Sequence, residues 1–518
     1  MDDLPDEIVQ CILAWTTPAS TVALGQTSWR YWAITNSPLL WRLYCLNHFI
    51  YWGNCHRFQQ KLNLPVSQVD WKGLYKRRHL VDIAVTDILE SVLATQTGRI
   101  EKVHKIVSFG YDAKDTLMRH AQIGSDHEDY LARRNAILGC LHRTIAILEW
   151  SRLKKGEEVP LEIAIGAFDM FTLETGTGDL EDISYKLDNI VSVIKADCGT
   201  ISELTPRQKA VKVAEYLRQK NLTGIDTRSE YYNVEHNFLG IALGLNAHPC
   251  GFPFHVHVIL RPETGYDMDD KRLENGEPEA PMYMDPFRSA QEISIADLES
   301  QLNFLGALTL SHSTFLRESL TSEIVLRCGK NILNSVTQSP GFSDTSLDIA
   351  SVEYAALWAS VLFADSATME RPRTGPAQGL RHYLPSLMEH FATNFPFDVY
   401  LIDKFLVPLF SSLPEYDHLR ESIHVMKTGD EIPKQIQRRG PDHSNVKYRV
   451  GQIFRHRRLG LLVEDKSARY VAEENIESVV DISQISPQFL KSLGRYFKRW
   501  DPRTRMFVSN IRDEYPDD

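Results

Sequence analysis

Two histidines stand two residues apart in Gly251-Phe252-Pro253-Phe254-His255-Val256-His257-Val258-Ile259-Leu260. The alternation from His255 to Leu260 suits a β-strand and puts both rings on one face. Asp285, in Met284-Asp285-Pro286-Phe287, follows thirty residues after His255, beyond a polar loop over 267–281. A strand histidine with an aspartate on a neighbouring strand is the base-and-orienter pair of a Cys-His-Asp arrangement. The two histidines could also ligate a metal, but no third and fourth ligand stands at a fixed spacing. A hydrogen-bonded structural role is the third use of such residues. Cys250 is the nearest thiol, five residues before His255 on the approach to the same strand. No helix N-terminus lowers its pKa there. The expectation is therefore no competent nucleophile, no metal site, no cofactor and no enzyme.

A second cluster is basic: Arg455-His456-Arg457-Arg458. Such a run could neutralise phosphates. Residues 445–518 hold 14 Lys/Arg and 11 Asp/Glu, a net of +3, against −14 for the other 444 residues. That excess supports a salt slope of only roughly −3 and weak DNA affinity. Glu464, Asp465, Glu473, Glu474 and Glu477 lower the local potential, and no aromatic stacking platform stands beside the run. A solvated turn or a protein-binding edge is the favoured use, with weak DNA binding as the alternative.

The elements that must position these residues are mostly helical. The chain has 518 residues, 43% hydrophobic and 24% charged, which suits three or four globular domains. Its net charge of −11 is not that of a protein built to coat nucleic acid or acidic membrane. Seven scattered cysteines, none in a zinc-knuckle or Cys-x-x-Cys spacing, fit a reducing compartment. The acidic start is unlike a secretory signal and no apolar run reaches membrane length. The expectation is a soluble protein of the cytoplasm, the nucleus or both. Apolar periodicity predicts helices through 80–155, 161–217 and 296–425, and residues 426–444 read as a linker.

The first fifty residues carry a distinct pattern. Leu4, Ile8 and Ile12 recur every four residues, with Val9 and Leu13 beside them, and Pro18 ends the run. A second apolar segment runs from Val22, Ala23 and Leu24 to Trp29, Tyr31 and Trp32. A third holds Leu39, Leu40, Trp41, Leu43 and Tyr44. Three helices this short cannot bury all of that surface, so part of it packs on the next domain or faces a partner. The order Leu-Pro-x-Glu-Ile, Leu-Gly-Gln-Thr-Ser-Trp-Arg, Pro-Leu-Leu-Trp-Arg over residues 4–46 resembles an F-box. Gln26-Thr27-Ser28-Trp29 stands where that family has Cys/Ser-x-x-Trp. The resemblance implies that Leu4, Pro5, Ile8, Ile12, Leu13, Leu24, Trp29 and Trp41 bind the Skp adaptor, which reaches cullin and RING subunits of a ubiquitin ligase.

Two further resemblances follow. Tyr231-Tyr232-Asn233, Asn237-Phe238-Leu239, Gly251-Phe252-Pro253-x-His255 and Asp285-Pro286-Phe287 are similar to the SirB-type transglutaminase-like family. The segment aligned with that family's nucleophile is absent, because Gly240 joins directly to Ile241. His255 and Asp285 are then remnants. Val-Gly-Gln-x-Phe-Arg-His-Arg-Arg-x-Gly and Arg-Tyr-Val-Ala-Glu-Glu-Asn-Ile resemble the YccV/HspQ-like, hemimethylated-DNA-binding family, again lacking a middle portion. In this order the three resemble the F-box-only family. The expected architecture is multidomain α+β: a three-helix F-box (1–50), a helical connection (51–160), a transglutaminase-like region with a small β core (161–310), a helical, tetratricopeptide-like region (311–425), the linker (426–444) and a small β-rich YccV-like domain (445–518). The implied role is non-catalytic recruitment of a protein target to the ligase. DNA binding through the tail, or a cysteine hydrolase or transglutaminase, are the alternatives.

Overall fold

The computed structural model describes residues 4–124, 127–173, 178–198, 203–220, 258–274, 280–286, 289–304, 316, 318–338, 347–364, 376–440, 449–457, 473–479 and 493–517. Among them the chain is mostly helical, with small antiparallel sheets, and no helix is long and apolar enough to cross a membrane. Strands β1 (Val258–Leu260), β2 (Met282–Met284) and β3 (Glu292–Ile293) form one sheet; β4 (Ile453–His456) pairs with β5 (Ile476–Val479), and β6 (Phe497–Asp501) with β7 (Met506–Ser509). The chain divides into two compact units, Met1–Leu141 with Asp417–Asp518, and His142–Tyr416.

The first unit opens with four short helices, α1 (Asp6–Leu13), α2 (Pro18–Gly25), α3 (Trp29–Thr35) and α4 (Pro38–His48). The apolar segment expected to run unbroken from Val22 to Trp32 is therefore two helices. Ser28 divides them: its hydroxyl accepts from Tyr31 N and caps α3, as Thr17 caps α2 through Ser20 N. Next come α5 (Phe58–Leu62), α6 (Trp71–Ala94), α7 (Arg99–Ser108) and α8 (Tyr111–Gln122). One core runs from Val9, Leu13 and Ile34 through Trp41 and Tyr44 to Phe58, Trp71 and Tyr75. The F-box helices thus share their interior with α5 and α6 across residue 50, since so short a bundle cannot close a core alone.

The stretch read as a linker begins inside a helix, Glu415–Glu431. No proline interrupts it before Pro433. Its end is used: Asp430 O accepts from Gly98 N (2.9 Å) and Asp430 Oδ2 from Ile100 N (2.8 Å). Gly98, at φ +65°, has no side chain with which to cap α7, so the aspartate of a distant helix does it. Beyond it, Gln437 N donates to Glu514 O (2.7 Å) and Arg439 N to Asp517 Oδ2 (2.9 Å), which lays 432–440 along the C-terminal residues. Gly451, at φ +97°, approaches β7 so closely that a Cβ would sit 1.9 Å from Phe507 O.

In the second unit, the helix Ile349–Leu362 is apolar on all sides and buried along almost its whole length. The helices Thr321–Gln338 and Pro376–Asn394 pack against it. Lys154 Nζ donates to Leu362 O (2.6 Å) at its negative end. Arg143 and Asp398 form a buried two-pronged pair (Nε–Oδ2 2.6 Å, Nη2–Oδ1 2.8 Å), with the guanidinium 4.5 Å over the Phe395 ring. The antiparallel sheet β1-β2-β3 has Val258 opposite Met284 and Tyr283 opposite Ile293.

Candidate adaptor-binding face

Helix α1 turns Val9 and Leu13 inward and leaves Ile8 (46% exposed), Ile12 (38%) and, just past its end, Trp15 (93%) outside. Positions i, i+4 and i+7 make one stripe. Helix α3 turns Tyr31, Ile34 and Thr35 inward and leaves Trp29 (84%) and Trp32 (54%) outside. The two tryptophans meet edge to face at 5.7 Å. The two helices are in contact, and Arg30 ties their N-terminal ends, its Nε donating to Asp6 Oδ1 (2.9 Å) and its Nη2 to Leu4 O. Apolar side chains this large, left outside on adjoining helices, mark a contact surface.

Of the eight residues expected to bind the adaptor, Pro5, Ile8, Ile12 and Trp29 are exposed, while Leu4 and Leu24 are half-buried against the core. Leu13 (3%) and Trp41 (2%) are core residues, which corrects their placement on the face. Leu13 stands one turn after Val9 on the inward side. Trp41 donates from Nε1 to Thr35 O (2.7 Å) and packs edge-on against Tyr44 and Tyr75. Trp15 and Trp32 belong outside and were missed, although Trp32 lies one turn from Trp29. Beneath the face, Tyr44 Oη donates to Leu13 O (2.6 Å) and shares a hydrogen bond with Thr21 Oγ1 (2.6 Å). Burial pushes the Cys45 thiol and the Tyr75 phenol up to about 12.

A joint follows directly. Asp115 accepts from Ile50 N and Tyr51 N (both 3.2 Å), and Asp112 Oδ1 from Gly53 N (2.9 Å). His56 Nε2 donates to Asp112 Oδ2 (2.7 Å). Arg78, with no exposed surface, donates from Nη2 to Asp115 Oδ2 (2.9 Å), stands 3.5 Å from Asp112 Oδ1 and lies 4.5 Å over the Phe49 ring. Burial lowers the Arg78 pKa and raises that of Asp115, each opposed by the other's charge. The segment leaving α4 is thereby fastened to α6 and α8. Cys55 and His56 beside it, with Asp112, are the described residues grouped closely enough to hold a metal ion.

The other candidate residues are only partly placed. Asp285 is buried immediately after β2, which pairs with β1. Cys250, His255 and His257 lie outside the described residues. Arg455 pairs with Glu477 across β4 and β5 (3.9 Å). Arg457 donates from N to Asn475 O (2.7 Å) and from Nη1 to Glu474 O (3.3 Å). His456 lies in β4 opposite Ile476, and Arg458 lies outside the described residues. Arg455 is thus engaged with β5 and Arg457 with the turn before it.

No curated protein and no solved structure was found to match the chain. Among families of known proteins, the F-box-like family matches residues 1–47. That span holds α1 to α3 and nearly all of α4, with the exposed Trp15, Trp29 and Trp32 and the buried Trp41, and F-box domains are typically non-catalytic modules that bind the Skp adaptor. The N-terminal helices of this chain are an F-box-like domain.

Proposed function

We propose that the chain is the substrate-recognition subunit of a Skp–cullin–F-box ubiquitin ligase, working in the cytoplasm or nucleus. The observation that carries this reading is the exposed apolar face of Ile8, Ile12, Trp29 and Trp32 on an F-box-like domain. The chain itself does no chemistry in this role. It holds a protein target beside the ubiquitin-charged enzyme, so its contribution is proximity. The joint at Arg78 supports the role mechanically, because a target must be presented at a fixed place rather than on a loose tether.

The test is the variant Ile8→Ala, Ile12→Ala, Trp29→Ala. Each side chain is exposed, so the fold is expected to survive, and anchors of this kind contribute about 2–4 kcal/mol each. Co-purification with the Skp adaptor and cullin should be lost while the circular dichroism spectrum is unchanged. A folded triple variant that retains both subunits at the unaltered level rules this reading out.

A further inference from the structure

The turn Asn54–His56 and the first turn of α8 bring three kinds of metal ligand together. Cys55 Sγ, a ring nitrogen of His56 and a carboxylate oxygen of Asp112 lie within 4.8 Å of one another. The two oxygens of Asp112 do different work. Oδ1 is held from behind by Gly53 N (2.9 Å) and the Arg78 guanidinium (3.5 Å). Oδ2 points to His56 Nε2 at 2.7 Å. A carboxylate fixed through one oxygen and presenting the other is the outer-shell arrangement that orients metal ligands. The His56 ring is steadied by Trp52, edge-on at 5.6 Å. Cys55 is exposed, which gives an ion a path in and leaves a fourth position open to water.

We infer that Cys55, His56 and Asp112 form a binding site for a zinc-class divalent cation. Around a tetrahedral zinc, with bonds of about 2.0–2.3 Å, neighbouring ligand atoms stand about 3.3–3.8 Å apart. The proton now bridging Nε2 and Oδ2 therefore gives way to the ion when those atoms part by roughly 1 Å or less. The thiolate and imidazole select zinc or cobalt over magnesium or calcium, which prefer oxygen. Charge agrees: Asp112, Asp115 and a Cys55 thiolate are balanced by Arg78 and one divalent ion, with the Lys114 ammonium turned to the Tyr51 ring at 4.0 Å. An ion here would tie the turn to α8 beside Arg78. The site itself does not depend on the ligase reading.

The experiment uses the full chain, stripped with chelator and titrated with Co²⁺ alone. One equivalent should bring up the thiolate-to-cobalt charge-transfer band and the visible bands of a tetrahedral site, and Zn²⁺ should displace them. Cys55→Ser should abolish the charge-transfer band, and because that side chain is exposed its loss should leave the fold intact by circular dichroism. His56→Gln should weaken binding at least tenfold, whereas Cys11→Ser, at another exposed thiol, should change nothing. No thiolate band at one equivalent, or a band that survives in Cys55→Ser, overturns the assignment.

Discussion

Arg78→Met removes the charge at the joint while keeping most of the side chain's length and packing. Asp115 then loses the 2.9 Å bond from Nη2 and retains Ile50 N and Tyr51 N. Asp112 loses the cation 3.5 Å from Oδ1 and retains Gly53 N and His56. Both carboxylates stay buried, each 7% exposed, so two negative charges lose the guanidinium they share. Removing one partner of a buried ion pair costs about 3–5 kcal/mol. The pH dependence follows from Asp115, whose carboxyl burial already holds above its ordinary value. Without Arg78 it rises further, and a carboxyl raised in the folded state destabilises as pH rises through that value and not below it. The penalty is therefore greatest at high pH and shrinks as pH falls toward the ordinary carboxylate value of 3.8. Hydrogen exchange at the amides of Ile50, Tyr51 and Gly53 reads the opening of the joint directly. At about 1.4 kcal/mol per tenfold, exchange at pH 7 should accelerate roughly a hundred- to several-thousand-fold. Arg78→Met with Asp115→Leu should recover part of this, since an apolar replacement of the whole pair is often neutral. Exchange within threefold of the unaltered chain at pH 7, or an acceleration that is the same at pH 5 after intrinsic-rate correction, refutes the reasoning.

Asp430→Ala strips the cap from α7 and should cost about 1 kcal/mol, lowering the Tm of the first unit by about 2–4 °C in a thermal melt. Cys45 and Tyr75 ionise near 9 and 10 when unfolded and at about 12 when folded. Stability is therefore full below pH 9 and should fall by about 1.4 kcal/mol per pH unit for each group between its ordinary value and about 12, read as a falling urea midpoint; in Cys45→Ala the decline should start near pH 10. Arg143→Ala leaves Asp398 buried without its two-pronged partner and should cost about 3–5 kcal/mol, visible as faster proteolysis within residues 142–416.

The recurrence of Ile8 and Ile12 on α1 was legible because a short helix leaves one spacing rule to obey, whereas Leu13, expected beside them, points inward with Val9. Trp41 was misread because an aromatic ring in a helical patch carries the same signal whether it anchors a core or a partner. Its 2.7 Å bond to Thr35 O, which decides the matter, leaves no trace in periodicity. The joint was invisible for a different reason. Asp112 lies 59 residues from Gly53 and Asp115 lies 65 from Ile50, so no local pattern links them. The same separation hid Asp112 from Cys55 and His56, whose adjacency matches no familiar ligand spacing. The helix ending at Glu431 passed for a linker because its sequence is polar, and the contact that holds it is made by Asp430 to residues more than 300 positions earlier.

That last contact has a consequence for how the protein is made. Residues 142–416 lie between the two stretches that build the first unit. A ribosome adding roughly 5–20 residues per second spends about a quarter of a minute to a minute on that interval. Throughout it the F-box-like helices are already outside, yet Gly98 N and Ile100 N lack the Asp430 oxygens that accept from them, and Gln96 lacks Asp513. The unit that carries the F-box-like helices is thus started before residues 142–416 and completed after them, and a chain ending early keeps those helices while lacking the cap on α7.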